Sequence, residues 1–263
     1  MDLGLQDKVA LVTASSRGLG RACAYALSAE GAKVTICARD DRTLRAAADE
    51  IANATGNQVL AIVADLTSAR DCRQVVQETV EFFGALHVLV TNNGGPPAGY
   101  FFDLDDNEWY RAVDLTLMSA VRLIRAAVPY MREQGWGRII NITSVSVKEP
   151  LDDLILSNSL RAGVVGMART LANQLAADGI TVNNVLPGYM LTDGVRQLAE
   201  AQARAQGKSS DEILASLAGP VPVGRIGRPE ELAAVVAFLA SEQASFVNGT
   251  SILVDGGRHK GLM

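Results

Sequence analysis

Residues able to do chemistry cluster where short apolar runs meet small and hydroxyl residues. The first such place is Lys8 to Gly20, KVALVTASSRGLG. An apolar strand, Val9 to Val12, runs into a turn of small and hydroxyl residues, Thr13 to Arg17, and a helix opens at Gly18. Such a turn gathers bare backbone N–H groups and the positive end of a helix dipole at one point, which suits a phosphate or pyrophosphate. Other polar clusters follow later apolar runs: Arg39, Asp65, Asn92 to Gly95, Thr143-Ser144, and Pro187 to Thr192. The residues with acid, base or nucleophilic capacity are spread over these places, so their meaning depends on what brings them together.

The elements that must position them alternate without a break. After the first helix, Lys33 to Ala38 reads as a strand and Asp40-Asp41 as the start of a helix with Leu44, Ala47, Ala48 and Ile51 inward. Val59 to Val63 is the third strand, and Ser68 caps a helix carrying Cys72, Val75, Val76 and Phe83. Leu86 to Val90 follows as a strand, then a long helix from Asp106 to Met131, a strand at Arg138 to Ile142, and a helix from Ser157 to Ala177. Ile180 to Leu186, a helix at Glu230 to Ala240, and a strand at Ser251 to Val254 complete the pattern. Strand–helix alternation of this kind predicts an α/β fold: one doubly wound domain over 1–263, with a seven-stranded parallel sheet and helices on both faces. In such sheets ligands bind beyond the carboxyl ends of the strands, where the polar clusters lie.

The chain has 263 residues, a formal net charge of −5 and 48% hydrophobic residues. The acidic balance argues against a nucleic-acid or anionic-membrane binder. No basic-then-apolar leader precedes the first strand and no apolar run reaches membrane-spanning length, so a cytoplasmic protein is expected. Three cysteines, Cys23, Cys37 and Cys72, sit within helix or strand patterns and read as reduced core residues. No metal site is expected.

With these motifs in order, the sequence resembles the short-chain dehydrogenase/reductase family, in particular its 3-oxoacyl-carrier-protein-reductase-like members. The resemblance runs from Leu5 to Gly257 and implies a Rossmann-type fold and a nicotinamide dinucleotide. The family turn TGxxxGxG corresponds to Thr13-Ala14-Ser15-Ser16-Arg17-Gly18-Leu19-Gly20, with Ala14 in place of a glycine; a negative φ there would accommodate its Cβ. Asp65 and Leu66 resemble the adenine-side segment, Asn92 to Gly95 (with Gly94) the NNAG segment, and Pro187, Gly188, Met190 and Thr192 the segment beside the nicotinamide amide. Arg39 stands where a carboxylate would select NAD(H). With Arg17 it favours a 2′-phosphate and hence NADP(H) over NAD(H), although Asp40 opposes it.

The implied catalytic set matches at one position of four. Ser144 stands at the family serine, but thirteen residues on, where a tyrosine belongs, is Ser157, and where its lysine belongs is Arg161. The family asparagine corresponds to Asp114, which could balance Arg161. An aliphatic hydroxyl is a far weaker acid than a phenol of pKa about 10. Tyr189, Tyr100 and Lys148 are alternative proton sources, while His87 and His259 read as structural or tail residues. Three functions stay open: reduction of a small or acyl-thioester carbonyl with a rearranged proton donor, dinucleotide binding without catalysis, and carbonyl polarisation for dehydration or isomerisation. The polar stretch 193–217 is expected to form a substrate lid, and the resemblance implies a homodimer or homotetramer.

Overall fold

The computed structural model describes residues 1–262. Seven strands form one parallel sheet: β1 (Val9–Val12), β2 (Lys33–Ala38), β3 (Val59–Val63), β4 (Val88–Thr91), β5 (Gly137–Ile142), β6 (Ile180–Pro187) and β7 (Ser251–Val254). Their spatial order is β3-β2-β1-β4-β5-β6-β7, so the direction of winding reverses between β1 and β4. Most of these strands are apolar and buried on both faces, as a parallel sheet covered by crossover helices requires.

Helices α1 (Gly18–Ala29), α2 (Asp41–Thr55), α3 (Ala69–Phe83), α4 (Asp106–Ala112), α5 (Ser119–Gln134), α6 (Ile155–Leu175), α7 (Asp193–Gln206), α8 (Ser210–Ala218) and α9 (Pro229–Ala240) complete the chain. One core packs α1, α2 and α9 on one face of the sheet, through Cys23, Leu27, Leu44, Ile51, Leu232 and Val236. The other packs α3, α5 and α6 on the opposite face, through Val75, Val76, Leu123, Ile124, Ala168 and Ala172. Each fully buried branched side chain of this kind contributes about 1.5–3 kcal/mol. The helix starts follow from their first residues: Asp40 accepts a hydrogen bond from Thr43 N and Ser68 one from Asp71 N.

A polar line crosses the second face. Thr91, Asn141, Asn184 and Ser251 are register partners on β4 to β7. Thr91 Oγ1 donates to Asn141 Oδ1 at 2.7 Å, Asn141 Nδ2 donates to Asn184 Oδ1 at 3.1 Å, and Asn184 Nδ2 donates to Ser251 Oγ at 3.1 Å. A one-residue slip would strand these groups without partners, so the line fixes the register of the strand ends beneath the site.

Two expectations change. The long helix from Asp106 is not uniform: a π-helical segment, Val113–Met118, separates α4 from α5 and packs against α6. Ala14 has φ +47°, not a negative value. The three cysteines are free and buried. Burial pushes the Cys23 and Cys37 thiols up to about 12 and Cys72 to about 11, which leaves them inert as nucleophiles.

Candidate active site

The turn between β1 and α1 is stitched to its neighbours on both sides. Thr13 N donates to Val90 O at 3.1 Å. Thr13 Oγ1 donates to Asn92 O and accepts from Asn92 N, each at 2.8 Å, and Asn92 Nδ2 donates to Ala14 O at 3.1 Å. Towards β2, Ser15 N donates to Cys37 O at 3.0 Å, while Ser15 Oγ donates to Val12 O at 2.6 Å and accepts from Cys37 N at 3.1 Å. Thr13 and Ser15 are wholly buried. The side chains of Thr13, Ser15 and Asn92, three of the residues expected at the cofactor site, bond to the protein and hold the turn's shape.

What the turn presents is backbone. A Cβ on Gly20 would lie 2.5 Å from Ala14 O and 2.8 Å from Asn92 Nδ2, so only glycine lets α1 come this close. Gly18 has φ +60° and faces Thr192. The first turn of α1 has no side-chain cap and no acidic residue. Its N–H groups therefore stay available to an anion, and Ser16, Arg17 and Leu19 lie at least partly open beside them. The cradle fits a pyrophosphate.

At the end of β2, Arg39 is exposed. Asp40 stays an anion at this corner, with its carboxylate accepting Thr43 N at 2.8 Å as the cap of α2. That bond holds its pKa below the ordinary value, and the nearby Arg42 and Arg17 guanidinium groups add to the effect. Arg42 is a third cation of this corner that the sequence pattern alone did not single out. Asp65 Oδ1 accepts from Thr67 N and Oγ1, both at 2.9 Å, which keeps it in its own turn, and Leu66 beside it is buried.

The β5–α6 end is different. Ser144 Oγ accepts from Ser146 N at 3.1 Å. Ser157 is brought near, but its hydroxyl pairs with Ser146 Oγ at 3.3 Å, both being buried. Arg161 Nη1 donates to Ile142 O at 3.1 Å and Thr143 O at 3.0 Å, and its Nη2 donates to Asn93 Oδ1 at 3.2 Å. Asn93 Oδ1 also accepts Gly95 N. Arg161 thus ties the end of β5 to the loop after β4. Burial lowers its guanidinium to about 10, which still leaves it charged at neutral pH, and no carboxylate among the described residues pairs with it. The expected Asp114–Arg161 pair is not formed. Asp114 bonds Arg122 Nη2 at 2.7 Å, and Arg122 Nη1 donates to Thr67 O. The buried polar residue of the π-helical segment is Thr116, whose Oγ1 has no hydrogen-bond partner. Asp114 sits two residues earlier on the same segment, is half-exposed and is held by Arg122.

At the end of β6, Gly188 N donates to Val254 O at 3.0 Å, and a Cβ there would lie 2.8 Å from Asp255 Cβ. Pro187 ends the strand. Met190 is buried in the first core against Gly227, and Thr192 Oγ1 caps α7 by accepting Val195 N. Gly94 is exposed in the β4 loop. Tyr189 is half-buried beneath the Arg258 guanidinium, 4.8 Å from its ring centroid, whereas Tyr100 is exposed. His87 lies at the opposite end of β4, its Nδ1 accepting Val9 N at 2.9 Å. No group of three His, Cys, Asp or Glu that could hold a metal occurs among the described residues, and no described helix is long and apolar enough to cross a membrane.

A family model described as enoyl-(acyl carrier protein) reductase matches residues 13–259. The chain belongs to the short-chain dehydrogenase/reductase family. A similar protein is the short-chain reductase protein NovJ of Streptomyces niveus, 36% identical over 96% of this chain and 94% of the relative. The 3-oxoacyl-[acyl-carrier-protein] reductase FabG of Pseudomonas aeruginosa is 36% identical, covering 98% of this chain and 99% of its own. Among solved structures, the L-sorbose reductase of Gluconobacter frateurii, complexed with NADPH and L-sorbose, superposes with a TM-score of 0.97 at 34% identity, covering all of both chains. As a short-chain dehydrogenase/reductase, the chain is an oxidoreductase, and Ser144, Ser157 and Arg161 are the residues at which the sequence resemblance set the family serine, tyrosine and lysine. Ser146 and Thr116 are the polar neighbours that sequence reasoning missed, and Asn93 was read only as part of the Asn92 to Gly95 cluster; the doubled serine of TSVS hinted at Ser146.

Proposed function

We propose that this chain reduces a carbonyl with NADPH and that the proton reaches the product oxygen through water and the Ser146–Ser157 hydroxyl pair rather than from a tyrosine. The observation that carries the cofactor reading is the uncapped, acid-free first turn of α1 above Gly20, flanked by Arg17, Arg39 and Arg42 with the Asp40 carboxylate turned into α2. The relatives support it: the L-sorbose reductase is complexed with NADPH. The N–H groups of α1 hold the pyrophosphate, and the arginine corner holds the 2′-phosphate. When bound, NADPH supplies the hydride.

The chain's own residues do the rest. Ser144 accepts a bond from Ser146 N, which leaves its own O–H free to donate to the substrate carbonyl. Arg161 uses three of its five N–H donors on protein acceptors, so two remain for ribose hydroxyls or an oxyanion. Its fixed charge cannot pass a proton on, but it stabilises negative charge developing nearby. Thr116 Oγ1, buried without a partner, suits an ordered water beside α6. Helices α7 and α8, with a small core of their own at Ala199, Ala203 and Ile213, serve as the lid. The half-exposed edge strand β7, with Phe246 fully exposed in the turn before it, favours self-association into a dimer or tetramer.

The test is NADPH absorbance with a panel of ketones and 3-oxoacyl thioesters. Oxidation of NADPH by any of them, with formation of the alcohol, is the expected result. The hydroxyl of Ser157 is turned to Ser146 and Arg161 is clamped on carbonyls, which favours a second reading: NADP(H) binding without turnover. Tight NADPH binding with no oxidation across the panel would establish that instead.

A further inference from the structure

The segment following β7 folds back against the end of β6 and faces the loop after β5. Asp255 anchors it, Oδ1 accepting Gly257 N at 2.9 Å and Oδ2 accepting His259 N at 2.8 Å. Asp255 also packs against Gly188, and Arg258 lies over Tyr189, so the segment is built onto the end of β6. Between it, the loop after β5 and Pro220 lies a cavity of about 550 Å³. Its charged lining is Lys148, Arg258 and Lys260 against a single carboxylate, Glu149.

His259 lines the same cavity. Its side chain is only 9% exposed, and neither ring nitrogen has a hydrogen-bond partner among the described residues. Glu149 Oε2 stands 3.5 Å from Nδ1, outside good hydrogen-bond range. A buried imidazole with both nitrogens unbonded is costly unless another group completes it. Three fixed cations around it select a negative one. Lys148 ends the turn that starts at Ser144, so the cavity begins one helical turn from the hydroxyl assigned to the carbonyl.

We infer that this cavity binds an anionic group, a carboxylate or a phosphate, carried by the substrate at a distance from its reacting carbonyl. The substrate half of this statement rests on the reductase reading; the anion site does not. Lys148, Arg258 and Lys260 supply the charge, and His259, whose ring nitrogens are covered in this structure, turns one N–H to the anion on binding.

The chain has two histidines, and His87 at the far end of the sheet serves as an internal control. In the full-length protein, ring signals labelled with ¹⁵N are followed by NMR while inorganic phosphate, acetate or, at matched ionic strength, sodium chloride is added. A saturable shift of the His259 signals with phosphate or acetate, and none at His87, is expected. Which of the two acts distinguishes a phosphate ester from a carboxylic acid. Lys260→Ala should weaken the response about tenfold, the loss of one charge-assisted bond. Shifts that do not saturate, that chloride reproduces, or that Lys260→Ala leaves unchanged overturn the site. In parallel, NADPH oxidation is compared for carbonyl pairs that differ only in a remote anionic group. The anionic member should be preferred in kcat/KM, and His259→Gln should lower that preference about tenfold. Reduction of neutral carbonyls with silent His259 signals sinks this site and leaves the reductase reading standing. A His259 response without turnover of any carbonyl keeps the site and sinks that reading.

Discussion

At the β1 end of the cleft, the departure from the family pattern is a backbone matter. Ala14 replaces a glycine and takes φ +47°, yet Thr13, Ser15 and Asn92 hold the turn from both sides, and Gly20 keeps α1 close. At the β5 end, the departures are in acidity and charge. Ser157 and Arg161 occupy their places on α6, are buried, and have partners, so the fold there is intact. A hydrogen-bonded scaffold can absorb a methyl group in a strained turn at the expense of about 1–2 kcal/mol. No scaffold lends an aliphatic hydroxyl the acidity of a phenol. The departure at one end is thus a methyl group within a well-bonded turn, and the departure at the other is one of acidity and charge on buried, bonded side chains.

The largest effect should come from restoring that chemistry. Ser157→Tyr with Arg161→Lys places a phenol and a titratable amine one turn apart on α6. Positioned general acids are worth about 10²–10⁴-fold in rate. Steady-state NADPH oxidation with the best carbonyl of the panel should rise within that range. An unchanged rate, with the variant folded and binding NADPH, would mean that the space beside Ser146 no longer admits a substrate carbonyl next to residue 157, and the contrast between the two ends would then be one of shape as well as acidity.

The complementary experiment attacks the end where geometry matters. Gly20→Val puts a branched side chain where even a Cβ would meet Ala14 O and Asn92 Nδ2. Overpacking of this kind costs about 1–3 kcal/mol of stability. Displacing the start of α1 by an ångström should weaken NADPH binding by about 10²-fold. Fluorescence titration of NADPH checks the affinity, and urea unfolding checks the stability.

How much of this was legible in the sequence follows the same division. Strands β1, β2, β3 and β7 were readable to the residue, because β-branched apolar runs bounded by turn residues have few competing interpretations. The sheet was readable from strand–helix alternation, whereas the α6 positions 157 and 161 stood out only through the family resemblance. The partners of buried polar side chains were not readable. Asp114 was set beside Arg161 by the family resemblance alone; it bonds Arg122 instead, and Thr116 is the buried polar residue of the π-helical segment. Asp40 was legible as the start of α2, and it caps that helix through Thr43 N. Hydrogen bonds that run between distant elements, such as Arg161 to Asn93, leave no local period to detect.

A smaller effect should come from the arginine corner. Arg17→Ala and Arg42→Ala each remove one cation beside the capped Asp40. A charge-assisted bond to phosphate is worth about 1.5–3 kcal/mol, and exposure here places the effect at the lower end. The ratio of NADPH to NADH affinity should drop about tenfold for the more important of the two, with NADH affinity itself little changed. Equal losses for both cofactors would relocate the 2′-phosphate, and with it the claim that the β1 end is intact.

The smallest effect bears most directly on how that end tolerates its departure. Ala14→Gly removes the Cβ from a residue at φ +47°, which relieves about 1–2 kcal/mol of left-handed strain. It also frees the unfolded chain, which opposes the gain by about 0.4–1 kcal/mol. The net expectation is a stabilisation of about 1 kcal/mol or less, seen as a shift of a few degrees in Tm. NADPH affinity should stay the same, because the surrounding bonds of Thr13, Ser15 and Asn92 already fix the turn. A clear rise in affinity would instead mean that Ala14 holds the cradle slightly off its best shape, and that the β1 end too has given up some function.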